Sequence, residues 1–171
     1  ATFIVATMAG CSIPVAMLLA FIAGLLAGLV TGILHVACGI PAILSGILTQ
    51  LALYSVNLRI MGGKANLPIG VDKYDLLVSQ RYVRELSLRN PVIIVVLALA
   101  VLIGILYWFF GTELGASIRA TGANQNMARA QGINTETRKI FGLVLSNGIV
   151  ALSGALLAQY LGNADVNMGK G

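Results

Sequence analysis

The chain has 171 residues, of which 11 are Lys or Arg and 6 are Asp or Glu. Hydrophobic residues make up 58% and charged residues only 10%, with 20 glycines, and mean hydropathy is +0.91. Soluble domains carry about 25% charged residues. The composition therefore excludes a disordered chain, a collagen and a disulfide scaffold, and a soluble surface built from it would be mostly apolar.

The charges fall in blocks. Residues 1–58, 91–112 and 140–164 contain none, whereas 59–90 and 113–139 hold nearly all of them. Apolar blocks alternating with charged blocks predict an all-α polytopic transmembrane bundle. The strict alternation of β-barrel strands is missing. The expectation is about four full spans plus the tail of an earlier one, residues 1–10. The chain reads as a piece of a longer membrane protein, with residues 1–171 a single transmembrane domain.

The first span is predicted at 13–34, long enough to cross a bilayer core of about 30 Å. Within it Gly24, Gly28 and Gly32 repeat every four residues, and Ala16 and Ala20 extend the stripe. Such a small-residue face lets helix backbones approach closely in lipid. It serves packing within one subunit or a dimer seam, and spacing alone does not separate these. Cys11 and Cys38 flank this span about 33 Å apart, beyond disulfide reach, and read as buried, reduced residues. No metal-ligand spacing occurs. His35 closes the span, where a cation suits a helix C-terminus.

The second span, 40–56, covers only about 25 Å, so it either crosses with extended ends or is a broken, re-entrant element. It carries Ser45, Thr49 and Gln50. Residues 57–91 form a charged loop opening on Gly62 and Gly63, with turn formers Asn66, Pro68 and Gly70. Its second part, 73–90, fits a helix on the membrane surface or a solvated loop helix. The third span, 92–110, ends in interfacial Tyr107 and Trp108.

Residues 111–140 form the second charged loop. Asn124 is suited to cap a short helix over 125–131, and Gly132 to end it in the left-handed conformation. Asn134 or Thr135 then caps a helix running into the last span, 141–162. A short helix is thus presented between two spans, with Arg119 and Arg129 near it.

In the last span lie Ser146, Asn147 and Gln159. Polar groups in lipid need partners or a watery path. Either they bond helix to helix, or Gln50 and Asn147, with Thr49 and Ser146 beside them, line a path for a polar solute. The four predicted spans contain no Asp, Glu, Lys or Arg, which argues against a proton- or sodium-coupled pump.

Residues 119–124, RATGAN, then 127–133, MARAQGI, and 141–158 ending in LSGALLA resemble ATP-binding-cassette (ABC) transporter permeases of the branched-chain amino acid and ribose permease family. In that family this region corresponds to the Glu-Ala-Ala…Gly element that docks on the ATPase subunit. Asn126 and Met127 take the Glu and first Ala places, while Ala128 and Gly132 match. Residues 40–43, followed by Gly62 and Gly63, also resemble the family's second half-span and exit loop.

The resemblance implies a membrane subunit of an ABC importer, multi-pass in the cell (inner) membrane. It would pass a small polar solute such as an amino acid. It would not itself be an enzyme and would need no cofactor or metal. Its implied partners are an ABC ATPase, a solute-binding protein, a second permease subunit in a homo- or heterodimer, and membrane lipid, with no nucleic acid. Arg119, Asn126, Met127, Ala128, Arg129 and Gly132 would serve docking. No Walker A sequence occurs, so ATP hydrolysis would belong to the partner.

The resemblance also implies that 111–140 faces the cell interior. The Lys and Arg count, six in 57–91 against four in 111–140, leans weakly the other way. Other readings are a secondary transporter or facilitator, and a non-transporting membrane interaction module organised by the glycine stripe.

Overall fold

The computed structural model describes residues 2–68 and 91–167. They form seven helices and two short strands. The helices are α1 (Thr2–Met8), α2 (Ile13–Val36), α3 (Ala42–Ile60), α4 (Pro91–Gly111), α5 (Glu113–Ala123), α6 (Gln125–Ala130) and α7 (Thr135–Leu161). The strands are β1 (Asn66–Pro68) and β2 (Asn163–Asp165). Three helices, α2, α3 and α7, are long and apolar enough to cross a membrane. A fourth candidate is the pair Val95–Gly111 with Glu113–Ala123, which meet at 81°. The protein is thus an all-α polytopic bundle.

The second span is one unbroken helix of 19 residues, about 28 Å long. The re-entrant alternative is therefore not what forms. The last helix begins at Thr135, ahead of the span itself, as the expected cap at Asn134 requires: the Asn134 Oδ1 accepts from Thr137 N at 3.3 Å. The possible surface helix over 73–90 lies outside the described residues.

The glycine stripe packs α2 against α7 within the chain. A Cβ on Gly28 would lie 2.6 Å from Leu143 O, 2.7 Å from Val144 Cα and 3.0 Å from Asn147 Cβ. One on Gly24 would run into Ala151 Cβ and approach Asn147 O to 2.7 Å, and one on Gly32 would sit 3.1 Å from Ile140 Cγ2. Advancing along α2 means retreating along α7, so the two helices are antiparallel. Gly148 answers from the other side, where an added Cβ would lie 2.7 Å from Leu25 Cδ2 and 2.8 Å from Phe21 Cε2.

Each end of this pair carries other elements. At the start of α2 and the end of α7, the buried residues Phe3, Ile4, Ala16, Ala20, Met61, Ala155, Ala158 and Ala164 form the core. The β1–β2 pair covers that end, antiparallel with Leu67 opposite Ala164. Gly62 and Gly63, with φ of 65° and 79°, turn the chain from α3 into β1. At the other end lie the α2–α3 turn, α5 and α6. There His35 Nδ1 donates to Ile40 O at 2.8 Å, so the ring fastens the turn between α2 and α3. Both cysteines are free; Cys11 is half-buried and Cys38 exposed, so the expected burial does not hold for Cys38. It lies in the turn beyond the last residue of α2, where no helix covers it.

Thr31 joins α2 to α3: its hydroxyl donates to Ala27 O at 3.0 Å and lies 2.9 Å from the Thr49 Oγ1, which bonds back to Ser45 O. The outer faces of α3 and α4 are apolar and exposed, including Ile43, Leu51, Leu97 and Ile103. An apolar cleft of about 920 Å³ separates α4 from α7.

Two glycine substitutions separate backbone contact from helix propensity. Gly28→Ala should destabilise the protein by roughly 1–3 kcal/mol, because its methyl meets α7 backbone that has no room to yield. At Gly46, in α3, an added Cβ meets nothing within 4 Å. Gly46→Ala should be neutral or stabilise by up to about 1 kcal/mol. Thermal denaturation of the full-length protein in detergent reads both, and equal shifts would contradict the close α2–α7 contact.

Candidate functional site

The α4–α5 corner positions the short helix. Thr112 caps α5, with its Oγ1 accepting from Gly115 N at 3.3 Å and donating to Phe109 O at 2.6 Å. Gly115 fills the inside of the bend. A Cβ there would strike Phe109 O and lie 2.5 Å from Phe110 Cα, so the 81° turn requires a residue without one. Neither α5 nor its bend was expected from the sequence, where the Gly and Thr residues around Leu114 resemble ordinary loop.

Both ends of α6 are fixed by the local sequence. Asn124 Oδ1 accepts from Asn126 N at 3.0 Å and from Met127 N at 3.1 Å. At the other end Gly132, with φ of 81°, donates to Arg129 O at 3.0 Å, and Ile133 N donates to Ala128 O at 3.0 Å. That paired arrangement is a Schellman cap, which satisfies the last carbonyls of the helix.

The expected docking residues divide by face. Ala128 is buried and seats α6 on the bundle. Asn126 is exposed, and Met127 is 59% exposed, a large apolar side chain held out on a rigid turn. Arg119 is exposed one helix earlier, on α5. Arg129 braces the element instead of only presenting charge. Its Nε donates to the buried Thr135 Oγ1 at 2.9 Å, across the α6–α7 loop. Its Nη2 lies 3.7 Å from Glu136 Oε1, a pair whose side chains are 58% and 64% exposed and so adds little stability. The Arg129–Thr135 bond could not be read from sequence, because it depends on how the α6–α7 loop sets the two helices against each other.

The polar residues of the spans do not converge on one point. Thr49 is buried against Thr31. Gln50, next to it, is exposed on α3. Asn147 is half-buried in the α2–α7 seam, where its Nδ2 donates to Leu143 O at 2.9 Å, and the exposed Ser146 donates to the same oxygen at 3.1 Å. The α2 helix packs against both α3 and α7 and stands between these two pairs. Gln159 drew less weight from sequence, yet it is 1% exposed, and both its amide atoms lack a hydrogen bond among the described residues. No local pattern marks it, since its burial comes from the core at the β end.

The helical bundle, its glycine-packed seam and the capped helix between two spans define a polytopic helical membrane protein. The whole chain, residues 1–171, matches the family described as branched-chain amino acid transport system, permease component, and the chain belongs to that family. It is 44% identical over 162 residues to a tyrosine transport system permease protein of Clostridioides difficile, covering 95% of this chain and 52% of that one. It is 33% identical over 162 residues to the autoinducer 2 import system permease protein of Salmonella typhimurium, covering 90% of this chain and 42% of that one. The galactofuranose transporter permease protein of Escherichia coli is 33% identical over 169 residues, which is 98% of this chain and 47% of that one. The chain spans about half the length of the curated relatives it matches. No solved structure matches it. Membership of this family, with several apolar helices, makes it a multi-pass inner-membrane protein.

Removing the cap tests the rigidity of α6. Asn124→Ala should cost about 1 kcal/mol of local stability. Hydrogen exchange should speed up at the Asn126 and Met127 amides and stay unchanged in the middle of α7. Unchanged exchange at both amides would show that Asn124 does not hold them.

Proposed function

We propose that this chain forms part of the membrane permease subunit of an ABC importer, and that α6 is the element its ATPase subunit grips. The observation that carries the reading is the construction of α6. It is a six-residue helix capped at both ends, braced to α7 by Arg129, and seated on Ala128. It projects Asn126 and Met127 outward at the bundle end opposite the β pair. A rigid knob transmits a push to the spans, whereas a floppy loop absorbs it. Arg119 and the exposed part of Arg129 flank the knob and offer cations to the ATPase.

On this reading the α6 end faces the cell interior and the β1–β2 end faces a solute-binding protein. A second permease subunit, identical or homologous, completes the translocator. The solute is small and polar, in keeping with relatives named for tyrosine, autoinducer 2 and galactofuranose transport. Among these the tyrosine relative is the most similar, which favours an amino acid. Of the two pairs that α2 keeps apart, Gln50 with Thr49 on α3 is the proposed contact along the path, whereas Asn147 and Ser146 donate to Leu143 O on α7. Gln50 supports this best, because an exposed amide on an apolar helix needs polar surroundings in a membrane.

Gly132→Val tests the docking assignment in the full-length protein with its ATPase subunit. Gly132 has φ of 81° and open space around it, so the added side chain meets nothing. The left-handed conformation itself costs a β-branched residue about 1–2 kcal/mol or more. ATPase co-purification and ATP-coupled uptake should fall on the order of tenfold, while the amount of folded protein in the membrane stays the same. Unchanged coupled uptake would contradict the assignment.

A further inference from the structure

A second cleft, of about 320 Å³, opens beside α6, between α5, the start of α7 and the α2–α3 turn. Its polar lining is His35, Thr121, Gln125, Arg138 and Lys139, and its walls include Ile118 and Leu143. No acid lines it. Glu136, the nearest in sequence, leans to Arg129.

Three features give the cleft its chemistry. First, Arg138 Nε is buried and makes no hydrogen bond among the described residues. A buried guanidinium N–H without an acceptor is costly. Second, Arg138 and Lys139 stand in the first turns of α7, at the positive end of its dipole, where cations are disfavoured and anions favoured. Both terms favour an incoming anion. Third, His35 Nδ1 is held by Ile40 O, so the ring is fixed in orientation at the cleft.

We propose that this cleft binds a phosphate-bearing anion, with Arg138 and Lys139 as its main contacts and the Gln125 amide beside them. Basic pockets between membrane helices near one face suit phospholipid headgroups. The apolar walls at Ile118 and Leu143 suit the amphiphilic character of an anionic phospholipid. Free phosphate shares the recognising chemistry. Because Gln125 opens α6, an anion held there joins the short helix to α7. The site does not depend on the docking reading, since it needs only the cleft and its charges.

The test uses the full-length protein in detergent. Short-chain phosphatidylglycerol, short-chain phosphatidylcholine and inorganic phosphate are titrated separately, with bound molecules counted by native mass spectrometry and melting temperature followed alongside. Phosphatidylglycerol should bind and raise the melting temperature, and phosphatidylcholine should not. The double variant Arg138→Gln, Lys139→Gln should weaken that binding by about tenfold or more. Arg138→Lys should keep most of it. Gly122→Leu provides a charge-neutral check. Gly122 lines the cleft, and a Cβ there meets nothing within 4 Å, so Leu fills the space with the helix intact and should also block binding. Inorganic phosphate protecting as well as phosphatidylglycerol would support the site with free phosphate as its source. Phosphatidylglycerol binding unchanged in both variants would overturn the proposal. Lost ATPase association with unchanged binding of both phosphate probes would also overturn it, and assign the cations to a protein partner.

Discussion

The rest of the structure depends on how closely α2 and α7 approach. Three glycines at four-residue spacing bring the α2 backbone against Ile140, Leu143, Val144 and Asn147 of α7, and at Gly24 and Gly28 an added Cβ would collide. In lipid there is no hydrophobic gain from helix association, so close van der Waals contact of this kind carries the packing. The antiparallel seam fixes which ends lie together. It sets the core of α1, Met61 and the β pair at one end. It sets α5 and α6 at the other, because α7 begins where α6 ends.

Much of this was legible in the residues, because the signals are local. The 24-residue apolar run makes α2, its glycine stripe names the packed face, and the Asn124, Gly132 and Asn134 caps follow from backbone chemistry within a few positions. The missing pieces all depend on distant partners. The β1–β2 pair joins residues about a hundred positions apart, and three-residue strands carry no periodicity. The α4–α5 bend arises at Gly115 from crowding against Phe109 and Phe110, which a reading of Gly as loop former conceals. Arg129 reads as a surface charge until Thr135 is placed beside it. Gln159 reads as one polar residue among several until the core closes over it. Which polar residues share a cavity is likewise a question of helix arrangement, and α2 standing between α3 and α7 keeps Thr49 and Gln50 away from Ser146 and Asn147.

The seam also organises the surfaces left open. With α2 and α7 locked together, α3 is joined to α2 through the Thr31–Thr49 hydroxyl pair, and α4 is held through its corner with α5. Both present apolar faces outward, as suits helices against lipid or against further helices of a permease. On the proposed docking reading, a push at α6 would reach α7 through the Arg129–Thr135 bond and would reach α4 through α5.

Cross-linking measures the central claim, that α6 is the face an ATPase subunit holds. Single cysteines at Met127 and at Asn66 are placed in the full-length protein lacking Cys11 and Cys38, and the assembled complex is treated with a short bifunctional reagent. The account predicts that Met127→Cys links to the ATPase subunit and that Asn66→Cys, at the opposite end of the bundle, does not. Linkage from Asn66→Cys with none from Met127→Cys would contradict it.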